Sequence, residues 1–344
     1  MDDLLASAQQ SVSESELFKP RIAVVGVGGG GNNTVNRLSM MDIRGARLFA
    51  FNTDAKHLNT LNSNINRLVL GEQITHGLGA GGFPEIGERA ATLSRDKIDT
   101  LLKDINLLFL TAGMGGGTGT GATPIVADIA KKNGAITIGI VTLPFSLEKV
   151  RLEVARAGVE KLKGNVDTLI VIDNQKLVSL YPNLQIEKAF ALADEITARA
   201  VRGITETITQ PSLITLDFAD VRTIMASGGL AMISVGTCQG TDRINAVVKD
   251  TLSNKLLDVN YEDATGALLH ITGGPDLTLG DANEIATKLT ENVSPNANVT
   301  WGARLDENYT GKVEVIAIFV GVKSPSILGS EHRQESKGFG LDEL

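Results

Sequence analysis

Two glycine-rich segments contain the residues of this sequence that are best suited to chemistry, and each follows a short apolar run. The first has the sequence GVGGGGNN at 26–33, and the second has GMGGGTGTG at 113–121. Because glycine has no side chain, the backbone N–H groups of such loops can approach a phosphate closely. A helix that begins at the loop adds partial positive charge. The two segments therefore predict a site that holds the phosphates of a nucleotide.

Two other interpretations of the first segment stay open at this level. Gly26, Gly28 and Gly31 match the G-x-G-x-x-G dinucleotide fingerprint, so a nicotinamide dehydrogenase is one alternative. A tight turn without a ligand is the other, although five glycines in six positions exceed what a turn requires. A dehydrogenase leaves the second segment unexplained, and no constellation of His, Lys and Tyr stands out in the sequence. Neither segment has Lys followed by Ser or Thr, which excludes a P-loop.

Strand and helix patterns alternate through the first half of the chain, which is typical of a parallel sheet covered by helices on both faces. In such a sheet, the glycine clusters at 26–33, 77–82 and 113–121 converge at the carboxyl ends of the strands. The pattern predicts strands at 21–26, 48–52, 67–70, 106–111, 136–142 and 168–172, and helices at 33–41, 84–95, 95–103, 123–132 and 147–162.

A long helical run at 185–208 separates this half from a region in which strands dominate, and its length suits a helix that bridges two domains. Its candidate apolar positions are Ile186, Phe190, Ile196, Val201 and Ile204. After it we predict strands at 229–236, 266–272, 298–305 and 313–322, with helices at 242–257 and 281–290. The predicted organisation is a flexible lead at 1–20, a nucleotide-binding domain at 21–184, a central helix at 185–210, a smaller α+β domain at 211–322 and a flexible tail at 323–344.

The composition excludes several classes of protein. The 344 residues are enough for two domains, and 42% hydrophobic residues supply a sizeable core. The formal net charge of -8 argues against a nucleic-acid binder or an anionic-membrane binder, both of which use a basic face. A single cysteine, Cys238, excludes an intrachain disulfide and fits a reducing cytoplasm. No apolar run reaches the roughly 20 residues of a membrane-spanning helix, so direct membrane insertion is not expected.

The segment GGGTGTG at 115–121 resembles the signature of the tubulin/FtsZ family. Further motifs that resemble the family are GVGGGGNN at 26–33, FNTDA at 51–55, GLGAGG at 77–82, TLPF at 142–145 and DFADVRTIM at 217–225. The resemblance extends over about residues 21–322, nearly the whole folded part. IDNQKL at 172–177, ETITQPSL at 206–213 and ITGGPDLTL at 271–279 resemble archaeal members, particularly the second archaeal FtsZ type.

This resemblance implies a Rossmann-like parallel-sheet GTPase domain joined by a long central helix to a smaller α+β activation domain, which is the tubulin/FtsZ fold. The implied ligands are GTP or GDP with Mg²⁺. Asn52 and Asp54 correspond to a loop near the phosphates and the metal, although Asp54 by itself also fits a simple turn cap. The implied phosphate-binding positions are Gly28, Gly29, Gly30, Gly31, Asn32 and Asn33, with Gly115, Gly116, Gly117, Thr118, Gly119, Thr120 and Gly121.

Other positions resemble the sugar and base contacts of the family. Glu148 and Arg151 resemble a pair that contacts the ribose, although an i, i+3 pair on a helix is usually a surface ion pair. Phe190 and Asp194 are one helical turn apart, so one face presents both. The aromatic ring can stack on a purine, and the carboxylate can accept hydrogen bonds from the N1–H and 2-amino groups that distinguish guanine from adenine. Phe190 also fits an ordinary core position, and Asn174 resembles a further base contact.

Asp217 and Asp220 resemble the catalytic acids of the family, which enter the nucleotide pocket of the next subunit and orient the attacking water. Without the resemblance, they are an acidic turn or a solvated helix start. The resemblance implies a GTPase that polymerises head to tail and forms the division ring at midcell. Thr215 stands where the family usually has Asn, which keeps a GTP-binding filament scaffold with little turnover as an alternative.

Three further features differ from the family pattern or extend it. The spacing from Glu148 to Arg151 is one residue shorter than usual, and Asp173 stands where many members have Pro. The segment 338–344 resembles a short C-terminal peptide that binds membrane tethers and other division proteins, with Phe339, Leu341 and Leu344 as apolar anchors. A frayed end is the alternative, and a paralogous FtsZ is a possible further partner.

Overall fold

The computed structural model describes residues 20–323, except 42, 181, 184, 210–212, 215, 227, 254–260 and 263. Thr215, the lead up to residue 19 and the tail peptide at 338–344 therefore lie outside the described residues. Among the residues that are described, no helix combines the length and the apolar character that crossing a membrane requires.

The first half of the chain forms a parallel sheet of six strands with helices between them. The strands are β1 (Ile22–Val27), β2 (Ala46–Asn52), β3 (Asn66–Val69), β4 (Leu107–Gly113), β5 (Ile136–Leu143) and β6 (Thr168–Asp173), and they lie in the order β3-β2-β1-β4-β5-β6. The helices are α1 (Gly28–Met40), α2 (Ala55–Asn59), α3 (Glu72–Thr75), α4 (Pro84–Leu93), α5 (Arg95–Leu102), α6 (Gly117–Lys132), α7 (Lys149–Lys163) and α8 (Asn174–Leu180). The predicted alternating parallel architecture is confirmed.

The second half extends the same sheet. After the central helix α9 (Ile186–Thr209) come α10 (Phe218–Ala226), β7 (Leu230–Gln239), α11 (Arg243–Ser253), β8 (Gly266–Gly273), α12 (Leu279–Thr290), β9 (Asn298–Leu305) and β10 (Lys312–Val320). Strand β7 pairs in parallel with β6 through Leu169–Leu230 and Ile170–Ala231, so ten strands form one continuous sheet. The far strands follow the order β7-β10-β8-β9, with β10 antiparallel to both of its neighbours.

The sheet is apolar on both faces, because helices cover each of them. Along β1, Val25 belongs to the core cluster on one face and Val24 to the cluster on the other, as alternation along a strand requires. The long helix α9 spans about 36 Å at 1.5 Å per residue, and Val201 and Ile204 bury its inner side as predicted. Phe190 differs from the predicted apolar position because its side chain is 45% exposed. It faces a cavity rather than the core.

Two helices begin five and six residues earlier than the sequence pattern predicts. Helix α1 begins at Gly28 instead of 33, and α6 begins at Gly117 instead of 123. Glycine has a low helix propensity, so the pattern places these residues in loops. Tight packing between the two segments overrides that preference, because a Cβ atom on Gly28 would lie 2.8 Å from the backbone nitrogen of Gly119.

Candidate functional site

A cavity of about 770 Å³ lies where the carboxyl ends of β1, β4, β5 and β6 meet. The sheet is parallel there, so the segments that follow these strands reach the same edge. The cavity extends from the beginnings of α1 and α6 to the first two turns of α9. Of the predicted site residues, its lining includes Gly29, Gly30, Asn33, Gly116, Gly117, Thr118, Gly119, Glu148, Arg151, Asn174, Phe190 and Asp194.

The glycines of the two loops fall into two groups. At Gly31 and Gly121, an added Cβ would lie 2.1 Å from the Thr111 carbonyl oxygen and 1.9 Å from the Pro84 carbonyl oxygen. These positions allow the loops to pack on the sheet and on α4. Gly28, Gly31, Gly115 and Gly121 lie outside the cavity lining, so these four glycines support the packing of the loops and do not face the cavity.

Gly29 and Gly116 form the other group. Both line the cavity, and a Cβ on either would meet nothing within 4 Å. The residues that precede α1 and α6, Val27 and Gly116, provide no side-chain hydrogen bond to the helix N-terminus, and neither first turn contains an acidic residue. The first N–H groups of each helix are therefore available to an anion in the cavity. Open space beside two uncapped helix N-termini fits a phosphate chain.

Three polar residues of the loops have different surroundings. Thr118 lines the cavity, and its hydroxyl lies 2.7 Å from the Thr53 hydroxyl. The Thr120 hydroxyl accepts a hydrogen bond from the Gly115 N–H at 2.9 Å, which holds the loop closed on itself. Asn32 is fully buried outside the cavity lining, and both polar atoms of its amide lack a hydrogen-bond partner. Only Thr118 of the three faces the space where a ligand would bind.

Asn52 and Asp54 lie beside the cavity rather than in its lining. Asp54 caps α2, since its Oδ1 accepts a hydrogen bond from the His57 N–H at 3.0 Å. In the structure, Asp54 therefore acts as the simple cap that the sequence left open as an alternative. Asn52 Nδ2 lies 3.5 Å from His57 Nδ1, and His57 Nε2 lies 3.2 Å from Oδ1 of Asn33. His57, which sequence reasoning missed, therefore connects this loop to a residue of the cavity.

Glu148 and Arg151 both line the cavity and contact each other. Arg151 Nη1 lies 2.5 Å from Glu148 Oε2, and Glu148 Oε1 accepts the Phe145 N–H at 3.1 Å. The Arg151 Nε atom also donates to the Gly115 carbonyl at 3.4 Å. The pair therefore ties the segment after β5 to the second glycine loop. With the short spacing noted in the sequence, Arg151 still reaches the cavity.

The far end of the cavity combines an aromatic ring with a carboxylate. Phe145 contacts Phe190 edge to face, with ring centroids 5.2 Å apart. Asp194 Oδ1 accepts a hydrogen bond from the Thr34 hydroxyl at 2.7 Å. Burial raises the pKa of Asp194 to about 6, while the Thr34 hydrogen bond and the charge of Arg37 oppose that rise. Asn174 is buried nearby, and its Oδ1 has no hydrogen-bond partner.

Sequence reasoning missed the contribution of the second half of α1. Asn36, Arg37 and Met40 line the cavity together with Asn33. They follow Asn33 by three, four and seven residues, which places all four on one helical face, so this signal was available in the sequence. Glu187 at the beginning of α9 also lines the cavity, and no sequence signal distinguished it from other surface acids.

Asp217 and Asp220 do not line the cavity; both are exposed at the start of α10. Asp217 Oδ1 accepts the Ala219 N–H at 3.0 Å. Helix α10 ends beside the amino end of β6, because the Met225 carbonyl accepts a hydrogen bond from Thr168, the first residue of that strand. Asn174, which lines the cavity, follows the last residue of β6. At 3.3 Å per residue, it lies about 20 Å from Thr168.

Comparison with known proteins agrees with this geometry. A family model described as the GTPase domain of the tubulin/FtsZ family matches residues 21–182, and one described as the C-terminal domain of the FtsZ family matches residues 229–323. Cell division protein FtsZ 2 of Methanocaldococcus jannaschii is 51% identical, covering 96% of this chain and 87% of the relative. Cell division protein FtsZ 1 of the same organism is 47% identical, covering 89% of this chain and 84% of the relative.

A solved structure of an empty FtsZ dimer from M. jannaschii has the same fold. It superposes with a TM-score of 0.87 at 41% identity, covering 98% of this chain and 99% of the solved chain. The matched segments include both glycine loops, and the two family models together span both halves of the sheet. The chain therefore belongs to the tubulin/FtsZ family, and within it to the FtsZ branch.

Proposed function

We propose that this chain, as a GTP-dependent cell-division protein and GTPase of its family, binds GTP in the cavity and hydrolyses it only when a second copy binds head to tail. The phosphates would lie against Gly29, Gly30 and the N-terminus of α6. The ribose would lie near Glu148 and Arg151, and the guanine between Phe190 and Asp194. Open space at Gly29 and Gly116, with an unpartnered buried atom on Asn174, is the local structure that fits such a ligand.

We further propose that Mg²⁺ accompanies the nucleotide. The cavity lining has two arginines, Arg37 and Arg151, against three carboxylates, so its side chains supply no excess positive charge for a triphosphate. Among the described residues, no group of three or more His, Cys, Asp or Glu side chains is arranged to hold a metal. Mg²⁺ commonly needs one or two protein oxygens besides phosphates and water, and Thr118 offers such an oxygen. When bound, the ion would supply charge neutralisation at the phosphates.

The absence of Asp217 and Asp220 from the lining of the cavity supports the head-to-tail arrangement. Phosphoryl transfer needs positioning and charge stabilisation rather than a covalent nucleophile, so exposed carboxylates that orient a water suffice. In one chain, the helix that begins with these acids ends about one strand length from the cavity edge. In the next chain of a head-to-tail contact, the acids would face the γ-phosphate. Such a contact does not close on itself and generates an open filament.

The experiment that tests this proposal measures GTP hydrolysis per molecule against protein concentration in Mg²⁺. A site completed between subunits gives almost no turnover at low concentration and a rise above a threshold. A constant specific rate would mean that one chain contains the whole site, and the split-site proposal would be wrong.

A mixing experiment identifies the acids directly. Asp217→Asn keeps an intact cavity, whereas Gly29→Ala keeps intact acids. At a GTP concentration too low to fill the weakened cavity of Gly29→Ala, each variant alone should be inactive. In an equal mixture, random head-to-tail contacts place an intact cavity against intact acids at about one interface in four. Activity near a quarter of the wild-type value is therefore expected. Absence of any recovery, with both variants still assembling, would contradict the assignment.

A filament scaffold with little turnover is the second candidate, and the residue that favours it is Thr215. A threonine hydroxyl lacks the paired donor and acceptor of the asparagine amide that the family usually has there. If this slows hydrolysis, Thr215→Asn raises turnover without changing GTP affinity. An unchanged rate would remove the reason for this alternative.

We also propose that the filament assembles as a ring at the division site on the cytoplasmic side, through partners that bind the tail. In the tail, the apolar residues Phe339, Leu341 and Leu344 suit a short peptide that fits a groove on a membrane tether or another division protein. A paralogous FtsZ is a further candidate partner. Deletion of 337–344 should abolish recruitment to the ring and leave hydrolysis unchanged. Normal recruitment of the truncated chain would contradict the role of the tail.

A further inference from the structure

The carboxylate at the base end of the cavity is held by a residue of the first helix. Thr34 lies on α1, is only 4% exposed, and donates from its hydroxyl to Asp194 Oδ1 at 2.7 Å across a sequence separation of 160 residues. The same hydroxyl lies 3.3 Å from the Gly30 carbonyl, so Gly30 competes for its one proton. The shorter contact to a charged acceptor is the stronger of the two.

Reading guanine makes two demands on Asp194. The carboxylate must be ionised, because a protonated carboxyl offers a donor where the base also presents donors. It must also present its oxygens in the plane of the N1–H and 2-amino groups, since hydrogen bonds weaken steeply when misaligned. The partly buried carboxyl of Asp194 lies on a rotatable side chain, so it needs a fixed neighbour to meet both demands.

We infer that Thr34 is a positioning residue for base recognition, holding the Asp194 carboxylate ionised and in one orientation, so that guanine is selected by the pair rather than by Asp194 alone. This inference rests on the proposed base site. It assigns a specificity role to a buried hydroxyl that does not itself line the cavity.

The charged groups around Asp194 determine the pH range in which the Thr34 hydrogen bond affects base recognition. Arg37 on α1 is the charge that acts on the carboxyl, and Glu187, Glu148 and Arg151 are the other titratable groups of the cavity lining. Burial raises the pKa of Asp194 to about 6, and the Thr34 hydrogen bond opposes that rise. Loss of the Thr34 hydroxyl therefore raises the pKa of Asp194 further, so that the carboxyl takes up a proton closer to neutral pH.

The test compares binding of GDP and IDP, the inosine analogue that lacks the 2-amino group, by equilibrium dialysis from pH 5 to 8.5. Diphosphates avoid turnover during the measurement. Thr34→Val removes the hydroxyl at nearly constant volume, and Thr34→Ser retains it. Thr197→Val is the matched control, because Thr197 is buried on α9 and its hydroxyl donates to the Ala193 carbonyl at 3.0 Å rather than to a carboxylate.

Thr34→Val should weaken GDP binding about tenfold at pH 7.5, as expected for a lost hydrogen bond to a charged group. The preference for GDP over IDP should largely disappear, and the pH below which GDP binding falls should move upward. Thr34→Ser and Thr197→Val should stay within about twofold of the wild type, the usual effect of a change that removes no charged contact. If Thr34→Val does not fold, Thr34→Ala provides the same comparison.

Asp194→Asn separates the failure of this inference from failure of the base site. If that variant loses the preference for GDP while Thr34→Val and Thr34→Ala retain it with an unshifted pH profile, the role of Thr34 is refuted and the base site stands. If Asp194→Asn itself keeps the preference for GDP over IDP, the proposed base site is wrong, and the inference fails with it.

Discussion

Two glycines of the first loop, two positions apart, should respond in opposite ways to the same substitution. An added Cβ on Gly31 would lie 2.1 Å from the Thr111 carbonyl oxygen, a backbone atom of β4, whereas a Cβ on Gly29 would meet nothing within 4 Å. Both residues belong to α1, where alanine has the higher helix propensity. The methyl group therefore clashes with the sheet at Gly31 and projects into free space at Gly29.

The expected magnitudes follow from these distances. Gly31→Ala must displace backbone in the centre of a sheet, and overpacking of this kind costs about 1–3 kcal/mol or more in the free energy of unfolding. A loss of about 3 kcal/mol lowers the melting temperature of a large domain by roughly 6–12 °C. Gly29→Ala should leave stability unchanged or raise it by up to about 1 kcal/mol, because alanine loses less conformational entropy on folding.

Thermal unfolding of the nucleotide-free protein and GDP binding together provide the assay. Gly29→Ala should melt at or above the wild-type temperature and yet bind GDP at least about tenfold more weakly, because its methyl group obstructs the approach of a phosphate to the helix N-terminus. Gly31→Ala should melt well below the wild type even without nucleotide. Wild-type stability of Gly31→Ala, or wild-type GDP binding by Gly29→Ala, would refute the division of the loop into scaffold and ligand-facing glycines.

Two further predictions concern the contact between α9 and the far strands. Burial, assisted by the charge of Arg304, lowers the pKa of His270 to about 3, so the folded protein keeps this side chain neutral while the unfolded chain takes up a proton below pH 6.5. As the pH is lowered below 6.5, the free energy of unfolding should therefore decrease by up to about 1.4 kcal/mol per pH unit. In urea unfolding, the free energy of unfolding of His270→Asn should decrease less steeply with falling pH than that of the wild type. Asp194 contributes equally to both proteins, so its opposite effect cancels when the two are compared. Identical slopes for the two proteins would contradict the assignment. Glu206 is buried and contacts both Arg202 Nε, at 2.8 Å, and Arg304, so Glu206→Ala should cost about 2–4 kcal/mol in urea unfolding because two arginines lose their shared partner. Glu195→Ala, which breaks a more exposed pair with Arg199 on the same helix, should cost under about 1 kcal/mol, and equal losses would show that burial of Glu206 is not the cause.

Much of the fold was predictable because its signals are local. Apolar runs of strand length that end in glycines identify strands such as β1 and β4, and their alternation with helical patterns requires a parallel sheet. The boundaries of α1 and α6 were not predictable, because helix propensity argues against glycine and only the packing of one loop against the other outweighs it. The union of both halves into one sheet depends on two residue pairs between β6 and β7, which no local pattern reveals.

By itself, the sequence determined that each of two glycine loops would follow a strand of a parallel sheet and that Phe190 and Asp194 would share a helix face. These conclusions need only the periodicities of strand and helix. Tertiary structure alone decided that Phe190 is exposed to a cavity and that Asp54 caps a helix. It also decided that Thr34 contacts Asp194 across 160 residues and that Asp217 does not line the cavity. The physical reason is that burial and side-chain contacts depend on which elements pack together, whereas periodicity reports only neighbours along the chain.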